Sequence, residues 1–95
     1  MNKNRRKELC AVANKLLLLN RDGDNIEADL EAIKNELGMI LYDEEYYMDS
    51  IPENFQNGCR YQAAEDACNN MENAIDALDD GNIDDAISYI YGATV

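Results

Sequence analysis

The chain has 95 residues, of which 46% are hydrophobic and 29% are charged, and its formal net charge is −12 at pH 7. This length corresponds to one domain, and the hydrophobic fraction excludes a disordered chain. The longest aliphatic run, residues 16–19, is far shorter than the roughly 20 residues of a membrane-spanning helix. The basic N-terminal stretch precedes a periodic helix and not the apolar core of a signal peptide. We therefore expect one cytoplasmic domain over residues 1–95, with no membrane attachment.

The charge is distributed unevenly along the chain. Residues 1–21 contain six basic residues and one acidic residue, whereas residues 22–95 contain nineteen acidic residues and only two basic ones, Lys34 and Arg60. One interpretation is a solubilising surface combined with a basic first helical turn. The other is an acidic surface that binds a basic partner.

The first predicted helix covers residues 3–20. Leu9, Val12, Ala13, Leu16 and Leu19 recur at helical spacing, and Leu17 and Leu18 widen this stripe beyond what one adjacent helix covers. A basic first turn is unfavourable in the field of the helix macrodipole. The N-terminus therefore either frays or has partners elsewhere for its basic residues, Arg5, Arg6 and Lys7.

The second and third predicted helices, residues 26–48 and 59–80, carry matched heptad seams. The seam residues are three and four positions apart, as in a coiled coil, and are Ile26, Leu30, Ile33, Leu37, Ile40, Glu44 and Tyr47, then Tyr61, Ala64, Cys68, Met71, Ile75 and Leu78. Two such helices with a short connection predict an antiparallel hairpin. We expect one shared core containing Leu30, Ile33, Leu37, Ile40, Cys68, Met71, Ile75 and Leu78. Glu44 interrupts the seam, and we expect it to be exposed or paired with Arg60.

The remaining elements are a connection and a short fourth helix. Pro52 disfavours helix at the preceding residue, so residues 50–58 are predicted to form a structured connection with one helical turn, held by Ile51 and Phe55. Gly81 ends the third helix, and Asn82 caps a fourth over residues 82–91. The predicted fold class is all-α: a small helical bundle of about four helices, built on an antiparallel coiled-coil-like hairpin.

The residue types argue against catalysis and metal binding. The chain has no histidine, and its three cysteines form no close pair. A zinc site needs four thiolate or imidazole ligands, and a di-iron bundle needs Glu-x-x-His pairs. The acidic loop that starts at Asp22 lacks the glycine and glutamate positions of a calcium loop. We therefore expect no enzymatic activity, no metal and no cofactor, with two of the cysteines buried as small hydrophobic residues.

Two motifs lie in the connection and in the first turns of the third predicted helix. Residues 52–56 read Pro-Glu-Asn-Phe-Gln, and residues 60–65 read Arg-Tyr-Gln-Ala-Ala-Glu. With residues 46–51 before them and Ala-Ile-Asp-Ala-Leu at 74–78, these motifs resemble small acidic helical proteins of phages and integrative elements of Gram-positive bacteria. The resemblance covers about residues 30–80 and implies the hairpin. It also implies an accessory mobile-element protein in the host cytoplasm, a group that includes inhibitors of bacterial immunity such as anti-CRISPR proteins.

Two functions from different classes follow from these observations. The first is an inhibitor whose acidic surface occupies the nucleic-acid-binding surface of a host defence nuclease, such as an RNA-guided nuclease, without binding DNA itself. Its expected partner-binding residues are Asp43, Glu44, Glu45, Tyr46, Asp49, Glu65, Asp66, Glu72, Asp76, Asp79, Asp80, Asp84 and Asp85. The alternative is a structural or assembly module that forms a homodimer or docks on another mobile-element protein, with its charge serving solubility. Ionic strength distinguishes the two, because salt screens exposed charges and not apolar packing.

Overall fold

The computed structural model describes residues 2–19 and 21–94 and contains four α helices in this part of the chain, without any strand. The helices are α1 (Lys3–Leu17), α2 (Ile26–Asp49), α3 (Cys59–Asp79) and α4 (Ile83–Ala93). This confirms the predicted all-α bundle. Over these described residues, no helix has both the length and the apolar character needed to cross a membrane.

Consecutive helices run antiparallel and close into a four-helix bundle. Each helix packs mainly on two others, α1 on α2 and α4, and α3 on α2 and α4. Long-range ion pairs fix the directions: Arg5 meets Glu44 and Lys15 meets Glu36, so α1 and α2 run in opposite directions. One end of the bundle therefore contains the N-termini of α1 and α3, and the other contains the N-termini of α2 and α4.

The core follows the predicted seams. All four helices contribute to one hydrophobic cluster, and Leu9, Leu37, Met71 and Ile90 are completely buried within it. Small residues line α3 where it packs closely in the bundle, since Ala64, Ala67, Ala74 and Ala77 are all buried. Two residues expected in the centre of the hairpin seam, Leu30 and Ile75, are only partly buried at its edge.

The end of α3 shows why a glycine stands there. Gly81 has a φ of +76°, a left-handed conformation in which a side chain is strained. The N–H of Asn82 donates to the carbonyl of Ala77 at 2.8 Å, and the N–H of Gly81 donates to the carbonyl of Leu78 at 3.1 Å. These two bonds form a Schellman motif. The side chain of Asn82 then caps α4 by accepting from the N–H of Asp85, as the sequence predicts.

Several helix ends differ by a few residues from the expected bounds, and one expected anchor of the connection is exposed. Helix α1 ends at Leu17, whereas its predicted end, Asn20, lies outside the described residues. Leu17 and Leu18 are 56% and 87% exposed, so no neighbouring helix covers the widened stripe. Helix α2 runs one residue further than predicted and α4 two residues further, and α3 ends one residue earlier. The connection does form a short 3-10 turn at Glu53–Phe55, but Phe55 is exposed and does not hold it.

Only one cysteine is buried, which corrects the expectation of two. Cys68 on α3 is buried, whereas Cys10 and Cys59 are exposed. The heptad seam places Cys68 inward. The other two occupy positions outside the apolar stripes of their helices.

Candidate functional site

Three of the predicted acidic residues gather around a groove between α3 and α4. Asp76 from α3, Asp80 at the C-terminal cap of α3 and Asp85 from α4 line a cavity of about 190 Å³, together with asparagine side chains and Tyr89. All three aspartates are exposed. Asn82 orients Asp85, because its Nδ2 donates to Oδ2 of that carboxylate at 2.7 Å. Within residues 2–19 and 21–94, none of the three forms an ion pair.

Two neighbouring acidic residues are neutralised by the chain itself. Nζ of Lys34 lies 2.6 Å from Oδ1 of Asp79, and Nη2 of Arg21 lies 2.8 Å from Oδ1 of Asp84. The hydrogen bond from Arg21 lowers the pKa of Asp84, and the hydrogen bond to Asp79 raises the pKa of Lys34. Both carboxylates are therefore partly committed to ion pairs within the chain and are weaker candidates for contact with a partner.

A second acidic group surrounds the α2–α3 interface near Cys68. Burial raises the pKa of the Cys68 thiol to about 12, and the negative charges of Glu44, Glu45, Glu72 and Asp49 contribute to the same shift. These carboxylates, from two helices, are therefore close enough to share one local field. Glu65 lies one heptad before Glu72 on α3, and the adjacent Asp66 is exposed and accepts a hydrogen bond from Gln62 at 3.0 Å. The thiolate form of Cys68 is disfavoured in this setting.

The position of Glu44 differs most clearly from the expectation that it is exposed or paired with Arg60. Its side chain is completely buried, so it is not available to a partner, and its cation is Arg5 and not Arg60. Nε of Arg5 donates to Oε2 of Glu44 at 3.0 Å, and the guanidinium also lies 5.4 Å from the centroid of the Tyr47 ring. A cation over an aromatic ring is stabilised further by the ring quadrupole. The basic first turn thus has a partner elsewhere in the chain, at least for Arg5.

The other two predicted residues, Asp43 and Tyr46, lie at a basic cavity. This cavity has a volume of about 690 Å³ and opens between the first turns of α1 and α3 and the last turns of α2; its arginines are Arg5, Arg6 and Arg60. In the part of the chain that the structure describes, neither Arg6 nor Arg60 has an ion-pair partner. The thirteen predicted residues therefore do not form one surface.

Sequence reasoning did not predict this basic cavity. Arg6 and Arg60 are 54 positions apart, and only the closed bundle brings the start of α1 beside the start of α3. The available signal was the unfavourable basic first turn, which indicated a distant partner without identifying one.

In the described ranges, no group of three or more histidine, cysteine or carboxylate side chains is placed to hold a metal ion. The chain matches no family model, no curated protein and no solved structure.

Proposed function

We propose that the chain is a non-enzymatic binding protein that inhibits a nucleic-acid-binding partner by covering its basic groove with the acidic surface of α3 and α4. The observation that supports this is the α3–α4 groove, where Asp76, Asp80 and Asp85 stay exposed without an ion pair to any described residue. Concentrated like charges repel each other, and a cation-rich partner relieves this repulsion. Such a surface therefore favours binding to a basic groove over binding to DNA.

The length of the acidic row supports partial mimicry of a nucleic-acid strand. Residues 65–80 span about 22 Å as a helix. They contain six carboxylates, of which Asp79 is paired with Lys34. A single DNA strand carries about six or seven phosphates over this distance, at roughly 3.4 Å each. Because α4 folds back along α3, Asp84 and Asp85 widen the acidic surface at one end and do not extend the row. The surface thus has somewhat less charge than one strand.

We propose that the partner is a host defence nuclease, and in particular an RNA-guided nuclease. The support is the Pro-Glu-Asn-x-Gln and Arg-Tyr-x-x-Ala-Glu motifs, which resemble those of phage and integrative-element proteins. These nucleases hold nucleic acid in positively charged channels. In this proposal the protein acts in the host cytoplasm, without metal or cofactor and without contacting DNA.

The test compares charge reversal at the groove with charge reversal elsewhere. The partner is first recovered from host lysate with the tagged full chain, identified by mass spectrometry and assayed for DNA binding. The double variant Asp76→Lys/Asp80→Lys leaves the Lys34–Asp79 and Arg21–Asp84 pairs intact, and we expect it to inhibit at least about tenfold less well. Its matched control, Glu8→Lys/Glu53→Lys, changes the net charge equally at exposed positions outside the groove and should inhibit normally.

Salt and DNA provide two further criteria. Inhibition should weaken as ionic strength rises, because the contacts are between exposed charges. Equal inhibition by the two double variants would contradict the proposal, and so would retardation of duplex DNA by the wild-type chain alone.

A second candidate function, the assembly module, is favoured by a different observation. Met39, Tyr42 and Tyr46 are 70–71% exposed along one face of α2. An uncovered apolar stripe of this kind indicates a docking surface for another protein.

A further inference from the structure

The outer face of α2 carries a second seam, opposite the one that packs in the core. Its residues follow each other at intervals of 4, 3, 4, 3 and 4, and all are exposed and uncharged: Ala28, Ala32, Asn35, Met39, Tyr42 and Tyr46. The seam extends over about 27 Å of helix. The stripe carries no charge, although 29% of the chain's residues are charged. We call it the outer seam.

The positions that flank the outer seam are almost all acidic. In a coiled coil these flanking positions, one beside each seam residue, form the ion pairs that select the partner helix. On one side they are Asp29, Glu36 and Asp43, and on the other Glu31, Gly38 and Glu45. Lys15 pairs with Glu36, and Lys34 pairs with Glu31 as well as with Asp79. The other three carboxylates form no ion pair with any residue in the described ranges.

This charge pattern selects one kind of occupant. A second copy of the chain would place acidic flanks against acidic flanks, which is unfavourable. A helix with basic flanking residues would instead pair with Asp29, Asp43 and Glu45. The pattern therefore favours a different protein over self-association.

Gly38 gives independent evidence for an interface. Glycine weakens the interior of a helix relative to alanine, and here the chain's own packing does not require it, because a Cβ atom at Gly38 would meet nothing within 4 Å. The residue lies at a shallow cavity of about 410 Å³ lined also by Asn35, Met39 and Tyr42. It thus leaves an open notch at the outer seam beside Met39 and Tyr42.

We propose that the outer seam binds an amphipathic helix with lysine or arginine at its flanking positions, supplied by another protein. Met39, Tyr42 and Tyr46 contact the apolar seam of that helix, and one of its side chains enters the notch at Gly38. Tyrosine is an efficient contact residue because it buries a large rigid surface with a polar end. This site does not depend on the proposed inhibition, since the α3–α4 groove uses different residues.

The test uses synthetic helical peptides of about three heptads with leucine seams. One peptide has lysine at the flanking positions, and its matched control has glutamate. Titrated into the fluorescently labelled full chain, the lysine peptide should bind and the glutamate peptide should not. Met39→Asp should weaken binding of the lysine peptide by about tenfold or more, although it adds a negative charge that would strengthen nonspecific attraction. Circular dichroism checks that the variant stays helical.

Two further variants complete the design. Tyr91→Ser removes an exposed tyrosine from α4, outside the α3–α4 groove, and should leave peptide affinity unchanged. The variant Asp76→Lys/Asp80→Lys reverses two charges of the acidic groove. It should still bind the peptide through Met39 and Tyr42, with at most a small loss of affinity from the changed charge. This result separates the outer seam from the α3–α4 surface.

Three results would overturn the proposal. Equal affinity for both peptides would exclude selection by the flanking charges. Normal affinity of Met39→Asp for the lysine peptide would exclude the seam. Sedimentation of the wild-type chain as a dimer that Met39→Asp converts to a monomer would show that a second copy covers this face.

Discussion

Arg5 and Glu44 are joined inside the bundle by a 3.0 Å hydrogen bond, although 38 residues separate them in the chain. The Glu44 side chain is completely buried, whereas the Arg5 side chain is 15% exposed. The pair is therefore asymmetric: the arginine reaches water, and the carboxylate depends on interior partners.

We expect this asymmetry to appear in the stability of variants at the two positions. Arg5→Met should lower the free energy of unfolding by about 3 kcal/mol, because it removes the cation from a buried carboxylate. Glu44→Leu should cost less, because the arginine head can turn toward solvent. The double variant should regain much of the loss of Arg5→Met, since an apolar pair often replaces a buried ion pair well. Urea denaturation of the three variants measures this, and a larger loss for Glu44→Leu would refute it.

The hairpin seam predicts a graded response to truncation. Leu37 is completely buried, so Leu37→Ala should cost about 2–5 kcal/mol. Ile75 packs only partly buried at the edge of the core, so Ile75→Ala should cost distinctly less. The difference between the two denaturation midpoints checks the order. If both variants unfolded at the wild-type midpoint, the seam would be wrong.

Two glycines should respond to alanine with opposite signs. Gly81→Ala should destabilise the protein by about 1 kcal/mol or more, because alanine is strained at a φ of +76°. Gly38→Ala should stabilise it by up to about 1 kcal/mol, since the site is helical and open. Thermal unfolding of both variants in one buffer gives the comparison. A loss of stability in Gly38→Ala would show that the notch serves the fold itself.

Cys68 should make stability depend on alkaline pH. Its pKa is raised from 9.0 to about 12 in the folded chain. Above about pH 9 the unfolded chain loses the thiol proton while the folded chain retains it, so rising pH stabilises the unfolded state. The free energy of unfolding should therefore fall between about pH 9 and pH 12, by at most about 1.4 kcal/mol per pH unit from this group.

The measurement compares wild type with Cys68→Ala, because tyrosines and lysines also titrate in this range. Denaturation at about pH 8 and about pH 10.5 should give a smaller loss for the variant. Iodoacetamide offers a second readout at neutral pH: Cys10 and Cys59 are exposed and should react, whereas Cys68 should react only after unfolding. Parallel pH profiles for the two proteins, or labelling of Cys68 in the folded chain, would contradict the prediction.

The fold was predictable because the sequence features that specify it are local and periodic. The seams of α2 and α3 repeat over several heptads, and Asn82 and Gly81 mark helix ends by their own chemistry. The pairing of Glu44 was not predictable, because a charged residue in a seam indicates an interruption unless the distant Arg5 is known to reach it. The basic cavity was missed for the same reason.

The outer seam was visible in the sequence and was still not recognised. The apolar spacing of α2 indicates its core face and not this opposite one. Ala28, Asn35 and Tyr42 are not strongly apolar, so their regular spacing becomes meaningful only when the structure shows that they are exposed. The acidic groove was predicted only in part, for another reason. In the sequence, Asp79 and Asp84 are equivalent to Asp76, and only the positions of Lys34 and Arg21 in the structure distinguish them.

The antiparallel arrangement of the helices also orders the charges along the molecule. At one end of a molecule 50 Å long, the arginines at the starts of α1 and α3 offset part of the negative charge on the last turns of α2. The carboxylates at the end of α3 and the start of α4 lie at the other end, so the negative charge is greater there. The protein therefore has a permanent electric dipole along its long axis. Near a strongly basic surface, this dipole produces a torque that turns the α3–α4 end forward before contact, within a screening distance of about 8 Å at physiological salt. Arg6 and Arg60 can thus influence the rate of a collision in which they never take part.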